Sequence, residues 1–152
     1  MEKSDKEINI TVNRKARHEF FIVQTFEAGI SLVGTEVKAL RQNKANLTDS
    51  FAIIKNGEIW LMSAHIGAYD HGNIENHQPK RERKLLLKKS EIKKLSRSVL
   101  EKGHTLVPLR MYFKNSLVKV ELAIAKGKKF YDKRQDIARK DAKRDLDRKI
   151  KY

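Results

Sequence analysis

The 152-residue chain has no cysteine, which excludes disulfides and thiolate metal sites and agrees with a reducing compartment. No apolar run approaches the roughly 18 residues that a membrane-spanning helix needs. The first seven residues, Met1 to Glu7, lack an apolar core and do not read as a signal peptide. No glycine-rich loop is placed to cradle a nucleotide, since Gly127 stands alone between lysines. Ser50 and Ser63 lack the strand–turn–helix elbow of a nucleophilic serine, so the sequence does not read as an enzyme. Acidic residues are also in deficit, with 19 Asp and Glu against 34 Lys and Arg.

What is present is positive charge. The net charge of +15 says little about fold, but it favours a partner of dense negative charge: RNA, DNA or an anionic membrane surface. The charge is concentrated in Arg14-Lys15-Ala16-Arg17-His18, Lys80-Arg81-Glu82-Arg83-Lys84 and Lys126-Gly127-Lys128-Lys129. A single run of this kind reads as solvated surface. Three of them, interleaved with His18, Tyr69 and Tyr131 as possible stacking groups, favour nucleic acid. A membrane-binding helix would need bulky apolar residues, which the alanine-rich tail lacks.

From Lys126 onward twelve basic residues face five acids, and apolar content collapses. We therefore divide the chain into a flexible N-terminus at 1–8, a domain at 9–125 and a basic tail at 126–152. In the tail Ala138, Ala142, Leu146 and Ile150 form a thin stripe at four-residue spacing. Asp136–Lys140, Asp145–Lys149 and Asp147–Lys151 add about 0.2–0.5 kcal/mol each. That is too little for an isolated short helix, so the tail is expected to be disordered alone and helical only against a partner.

The hydrophobic fraction of 39% suffices for one small core. Phe20 to Phe26 and Ile30 to Val33 read as strands joined by a hairpin-like turn at Glu27-Ala28-Gly29. Asn56-Gly57 is a strong hairpin signal between Phe51–Lys55 and Glu58–Met62. A third pair runs over Leu106–Phe113 and Leu117–Ala125. There Val118, Val120, Leu122 and Ile124 mark one buried face, and Pro108 suits an edge or the start of its strand. Thr35 is the expected cap of a helix carrying Val37 and Leu40, with Glu36 complementing its dipole. Ser90 is the expected cap of a second helix that buries Ile92, Leu95 and Val99 and ends at Gly103. The pattern is mainly β: a small closed barrel with two or three short helices and a basic C-terminal tail. His65, His71 and His77 with Asp70 lack zinc-site spacing, so neither metal nor cofactor is expected.

Several blocks resemble one known family in order along the chain. They are 13–22 (Asn-Arg-Lys-Ala-Arg-His-Glu-Phe-Phe-Ile), 26–29 (Phe-Glu-Ala-Gly), 34–41 (Gly-Thr-Glu-Val-Lys-Ala-Leu-Arg), 44–50, 83–87, 105–108, 112–115 and 125–134. They are similar to the successive blocks of the small protein B, or SsrA-binding, family. The resemblance implies an oligonucleotide-binding-type barrel that binds the tRNA-like domain of tmRNA and carries it to stalled ribosomes for trans-translation. It implies as partners the small ribosomal subunit, at its decoding centre and empty mRNA channel, and the elongation factor that carries aminoacyl-tRNA. It also implies a cytoplasmic location and a tail that becomes helical on the ribosome.

Carried over by position, Glu27, Leu86 and Lys119 match residues for tmRNA binding, with Asn13, Arg14 and Arg17 in the neighbouring block. Asp132-Lys133-Arg134 matches a motif that acts on the ribosome, preceded by Lys128, Lys129 and Tyr131. Many relatives carry His where Tyr131 stands; tyrosine can stack on a base but cannot be cationic. Asn115-Ser116 likewise replaces a common Asn-Gly turn. A carboxylate at Glu27 repels phosphate, so it is expected to accept bonds from base amino groups or to hold a basic neighbour. Two rivals remain at this stage: a general oligonucleotide-binding module of a ribosomal or translation-initiation protein, and a metal-dependent nuclease using the His65–His77 region.

Overall fold

A computed structural model of the chain describes residues 6–69 and 76–128. The described chain begins with β1 (Glu7–Val12), α1 (Arg14–Glu19) and β2 (Phe20–Ile30). Next come α2 (Gly34–Arg41), β3 (Ala45–Asn46), β4 (Phe51–Lys55), β5 (Glu58–Met62), β6 (His65–Ile66) and β7 (Arg83–Leu86). It ends with α3 (Lys89–Lys102), β8 (Thr105–Lys114) and β9 (Leu117–Gly127). β1 starts at Glu7, so Glu7 and Ile8, placed in the N-terminal flank by the sequence reading, pair in the sheet.

Strands β8, β4, β5, β7, β2 and β9 pair in that order, and β9 pairs back onto β8. All of these pairings are antiparallel, and the ring they make is the expected small barrel with three helices around it. β1 lines the second half of β8 on the edge that β4 touches at Leu106. Inside lie Leu61, Leu85, Leu106, Met111, Val120 and Leu122, all essentially without solvent contact. Asn56 and Gly57 both have positive φ, 53° and 72°, as the two-residue hairpin requires. Asn115 and Ser116 make the same turn at 50° and 68°, with serine in a left-handed position that glycine would occupy at less cost.

Several expectations need correction. Glu27-Ala28-Gly29 is not a turn. β2 runs unbroken through it, with Glu27 opposite Glu121 and Gly29 opposite Lys119 of β9. Pro108 is the fourth residue of β8, opposite Leu122 of β9 and beside a β-bulge, where a strand tolerates a missing N–H; its carbonyl accepts from the Asn13 side chain at 2.9 Å. Thr35 does not cap α2. Val33 does, its N–H donating to the Glu36 carboxylate at 2.9 Å. Lys88 rather than Ser90 precedes α3, with Glu91 accepting from its N–H at 3.0 Å. Gly103 does end α3 in the left-handed conformation. The helix at 14–19 has no counterpart in the sequence reading, because only Ala16 on it is buried.

Two bulges decide which side chains face outward. In β2 the pairing slips between Ile22 and Gln24, and in β8 between Pro108 and Arg110. An extra residue shifts the two-residue alternation by one and re-aims everything beyond it. Before the bulges, Ile22, Val107 and Leu109 point outward and pack with Ala123 and Ala125 under α1. Beyond them Phe26, Ala28 and Met111 turn into the barrel core, and Glu27, Arg110 and Tyr112 turn out. The same strands are thus clad by a helix at one end and bare and charged at the other. The face of β9 opposite its core side is accordingly buried at Ala123 and Ala125, not solvated throughout.

Glu36 has a structural role beyond the helix dipole. Its carboxylate lies fully buried and accepts from both Arg81 and Arg83, and Arg83 is itself fully buried. Arg83 also donates to the backbone carbonyls of Ala64 at 2.9 Å and Pro79 at 3.1 Å. Burial is the largest influence on the Glu36 carboxyl and pushes it up. The hydrogen bonds from Arg81 and the Val33 N–H, with the charge of Arg83, outweigh it and hold the group below the usual carboxylate range.

Candidate nucleic-acid interface

The bare half of the outer sheet gathers the carried-over residues into one row. Gly29 pairs with Leu86 on β7 and with Lys119 on β9, Lys119 pairs with Tyr112 on β8, and Tyr112 pairs with Asn9 on β1. Residues directly opposite one another share a face, so Leu86, Lys119 and Tyr112 stand side by side. Glu27, two residues before Gly29, stands on that face as well. The missing side chain at Gly29 matters here: a Cβ would sit 3.2 Å from Leu86 Cβ. Leu86 is 51% exposed beside that gap, an apolar surface next to two charges.

Glu27 is held in place by two partners. The Tyr112 hydroxyl donates to its Oε2 at 2.7 Å, and Lys114 Nζ lies 3.1 Å from the same oxygen. The bond from Tyr112 is the strongest influence on its carboxyl. Burial opposes it, but Lys114 and then Lys119 add to it, so Glu27 stays below the usual carboxylate range. The Tyr112 phenol is pushed well above its ordinary range, first by burial and then by Glu27. The Arg110 guanidinium stacks over the Tyr112 ring at 3.9 Å. It is fixed by Glu121 at 2.6 Å, Asn9 at 2.9 Å and Glu7 at 3.2 Å. Of the two roles expected for Glu27, holding a basic neighbour is thus visible in the free protein.

The α1 block divides. Asn13 is buried and its side chain is spent inside the fold: Nδ2 donates to Pro108 O at 2.9 Å and Leu47 O at 3.2 Å, and Oδ1 accepts from the Ala16 N–H. Its position in the block holds, but its amide is a clamp and not a surface contact. Arg14, Arg17 and His18 are exposed. Arg17 reaches to 3.9 Å from Glu121, so the helix and the sheet face share one carboxylate. Lys128 donates to Arg17 O at 3.1 Å and its ammonium lies 5.1 Å from the Phe21 ring centre, so β9 leaves the barrel beside α1. Lys129, Tyr131, Asp132, Lys133 and Arg134 lie outside the described residues.

Sequence reasoning missed Arg110, Tyr112 and Lys114. A signal existed: a two-residue turn at Asn115-Ser116 sets Tyr112 opposite Lys119 and Lys114 opposite Leu117. His77 is used structurally, its Nε2 donating to Ile66 O at 2.8 Å and its Nδ1 meeting the Thr35 hydroxyl at 2.9 Å. His71 and Asp70 lie outside the described residues. Among the described residues no group of three His, Asp or Glu could hold a metal ion, and no helix is long and apolar enough to cross a membrane.

The comparisons with known proteins agree on one family. The family model described as SmpB protein matches residues 10–152. An SsrA-binding protein of Desulforudis audaxviator is 58% identical, covering 95% of this chain and 94% of its own. One from Acetivibrio thermocellus is 56% identical over 99% and 97%. A solved chain described as "tmRNA-SmpB: a journey to the center of the bacterial ribosome" is 47% identical, covers 77% of this chain and 82% of its own, and superposes with a TM-score of 0.65. With a family model spanning nearly the whole length and relatives above half identity, the chain belongs to the SmpB, or SsrA-binding, protein family.

Proposed function

We propose that the protein binds the tRNA-like domain of tmRNA and brings it to stalled ribosomes for trans-translation. One observation carries the reading: Glu27, Leu86 and Lys119, scattered in sequence, stand on one unclad face beside the basic surface of α1. Such a face suits folded RNA. Lysines and arginines neutralise phosphates, while Leu86 and an oriented carboxylate can read exposed bases and hydroxyls. Because Tyr112 and Lys114 fix the carboxylate of Glu27 before RNA arrives, it can accept from a base amino group without being reorganised. Arg14 and Arg17 extend the contact along α1, and Asn13 sets the position of that helix.

The protein acts by binding and not as an enzyme. The segment from Lys128 and Lys129 through Tyr131 and Asp132-Lys133-Arg134 acts on the small subunit, entering the vacant mRNA channel near the decoding centre. The work is done in the cytoplasm together with the elongation factor that carries aminoacyl-tRNA. A gel-shift comparison of the tmRNA tRNA-like domain with ordinary tRNA tests this. Preference for the tRNA-like domain is expected. Equal binding would mean a general RNA-binding module.

A further inference from the structure

At one mouth of the barrel, around the corner from Glu27, lies a cavity of about 380 Å³ lined by Lys6, Ile8, Arg41, Phe113, Asn115 and Ser116. Its floor is apolar. Ile8 and Phe113 are direct partners across β1 and β8, Ile8 is 63% exposed, and Phe113 rests against the core. Its rim is cationic. Arg41 comes from the last turn of α2, and Lys6 precedes β1. Neither forms an ion pair with a carboxylate among the described residues; Glu7, beside Lys6 in the chain, is engaged by Arg110 at 3.2 Å. This differs from the other basic side chains nearby: Lys114 is tied to Glu27 and Arg110 to Glu121.

We infer that this cavity is a further nucleotide subsite of the RNA surface, taking one unstacked base against Phe113 and Ile8 with its flanking phosphates on Lys6 and Arg41. The inference rests on the RNA-binding reading above and extends it to a part of the molecule that no carried-over residue reaches. An aromatic ring and a branched aliphatic side chain offer a dry surface to the face of a base. Cations at the rim, with no ion-paired carboxylate among the described residues, suit the backbone on either side. The volume falls in the range of about 300–1,000 Å³ for small-ligand sites, room for a single nucleotide but not for a duplex. The cavity adjoins the sheet face along the chain: Lys114, which holds Glu27 on the outer face, lies between Phe113 and Asn115, which line the cavity. A strand of RNA leaving Glu27 and Lys119 past the Asn115-Ser116 turn arrives at this mouth.

The test uses the full chain and the tmRNA tRNA-like domain, with affinity followed against salt and folding checked by thermal melting. Lys6→Gln with Arg41→Gln removes two phosphate partners on single-stranded RNA and is expected to lower the slope of log affinity against log salt by about 1.4. Phe113→Leu keeps an apolar side chain at the floor but loses the ring, and is expected to weaken binding at least about five-fold. Ultraviolet crosslinking of the wild-type complex is expected to attach a nucleotide to Phe113. If Phe113→Leu fails to fold, the double variant on the rim decides, since both of its side chains are exposed. Unchanged affinity and slope in the double variant, with Glu27→Gln still weakening binding, would overturn the subsite and leave the RNA reading intact. An acidic peptide as the true occupant would give that same result. If Glu27→Gln also has no effect and ordinary tRNA binds equally well, the underlying reading falls and the subsite with it.

Discussion

Tyr112 and Glu27 meet across the width of β9, the phenol donating to the carboxylate at 2.7 Å from a position 85 residues away in the chain. This bond gives a means of separating charge from geometry at the RNA face. Glu27→Gln retains an acceptor for Tyr112, so stability is expected to change by no more than about 1 kcal/mol, as for surface substitutions. Binding of the tRNA-like domain is expected to weaken, as it is for Lys119→Ala. Equilibrium titration and urea unfolding on the same samples check both halves. Normal binding by both variants would remove this face from the RNA interface.

Asn13 and Arg17 are neighbours in one sequence block with opposite expected behaviour. Asn13→Ala strips two buried carbonyls of their donor and α1 of its cap, costing about 1–3 kcal/mol. Arg17→Ala removes an exposed guanidinium and is expected to leave stability within about 0.5 kcal/mol while reducing the salt dependence of RNA binding. Denaturant midpoints and salt titrations of the two variants distinguish the roles. The reverse pattern would mean that the clamp and the contact are wrongly assigned.

The buried Glu36 is expected to contribute to the acid sensitivity of the fold. Its carboxyl is held below the ordinary value of 4.5, so the folded state binds its proton less readily than the unfolded chain. The stabilisation is therefore complete above 4.5 and is lost as pH falls from there through the lower folded value. Glu36→Gln leaves Arg83 charged and buried without a counter-ion, and is expected to cost about 3–5 kcal/mol at neutral pH. Urea unfolding across pH 3–7 is expected to show the wild type losing stability on the acid side more steeply than the variant.

How much of this was legible in the sequence depends on whether a signal was local. Asn56-Gly57 set a hairpin because both residues tolerate positive φ, and Gly103 marked a helix end for the same reason. The bulges in β2 and β8 are not local. An extra residue is visible only once the partner strand is known; without it Glu27-Ala28-Gly29 reads as a hairpin-like turn, and nothing marks Tyr112 as the partner of Glu27. The helix at 14–19 was missed because it buries one alanine and leaves a basic surface, which reads as a solvated charge run. Glu36 looked like a dipole partner because Arg81 and Arg83, more than forty positions away, carry no sign of folding back onto it.

Charge neutralisation is expected to dominate affinity. If about six phosphates are contacted, log affinity falls against log salt with a slope of magnitude roughly 4–5. A filter-binding titration over a range of salt measures it. A slope near zero would remove phosphate neutralisation as the source of affinity.

The C-terminal segment separates binding from rescue. Deleting residues 130–152 removes Tyr131, Asp132-Lys133-Arg134 and the Ala138–Ile150 stripe, yet leaves β9 whole and Lys128 bonded to Arg17 O. Every residue of the Glu27 face and of α1 is retained. Affinity for the tRNA-like domain is therefore expected to stay near that of the full chain, while peptide tagging on stalled ribosomes is expected to fail because the channel-directed segment is gone. Tyr131→Ala is expected to give a partial tagging defect, since one base–aromatic stack contributes about 1–3 kcal/mol. Measuring RNA binding and tagging on one truncated sample distinguishes the alternatives. Full tagging without the segment would assign the whole activity to the barrel, and lost RNA binding would place part of the RNA surface beyond Lys129.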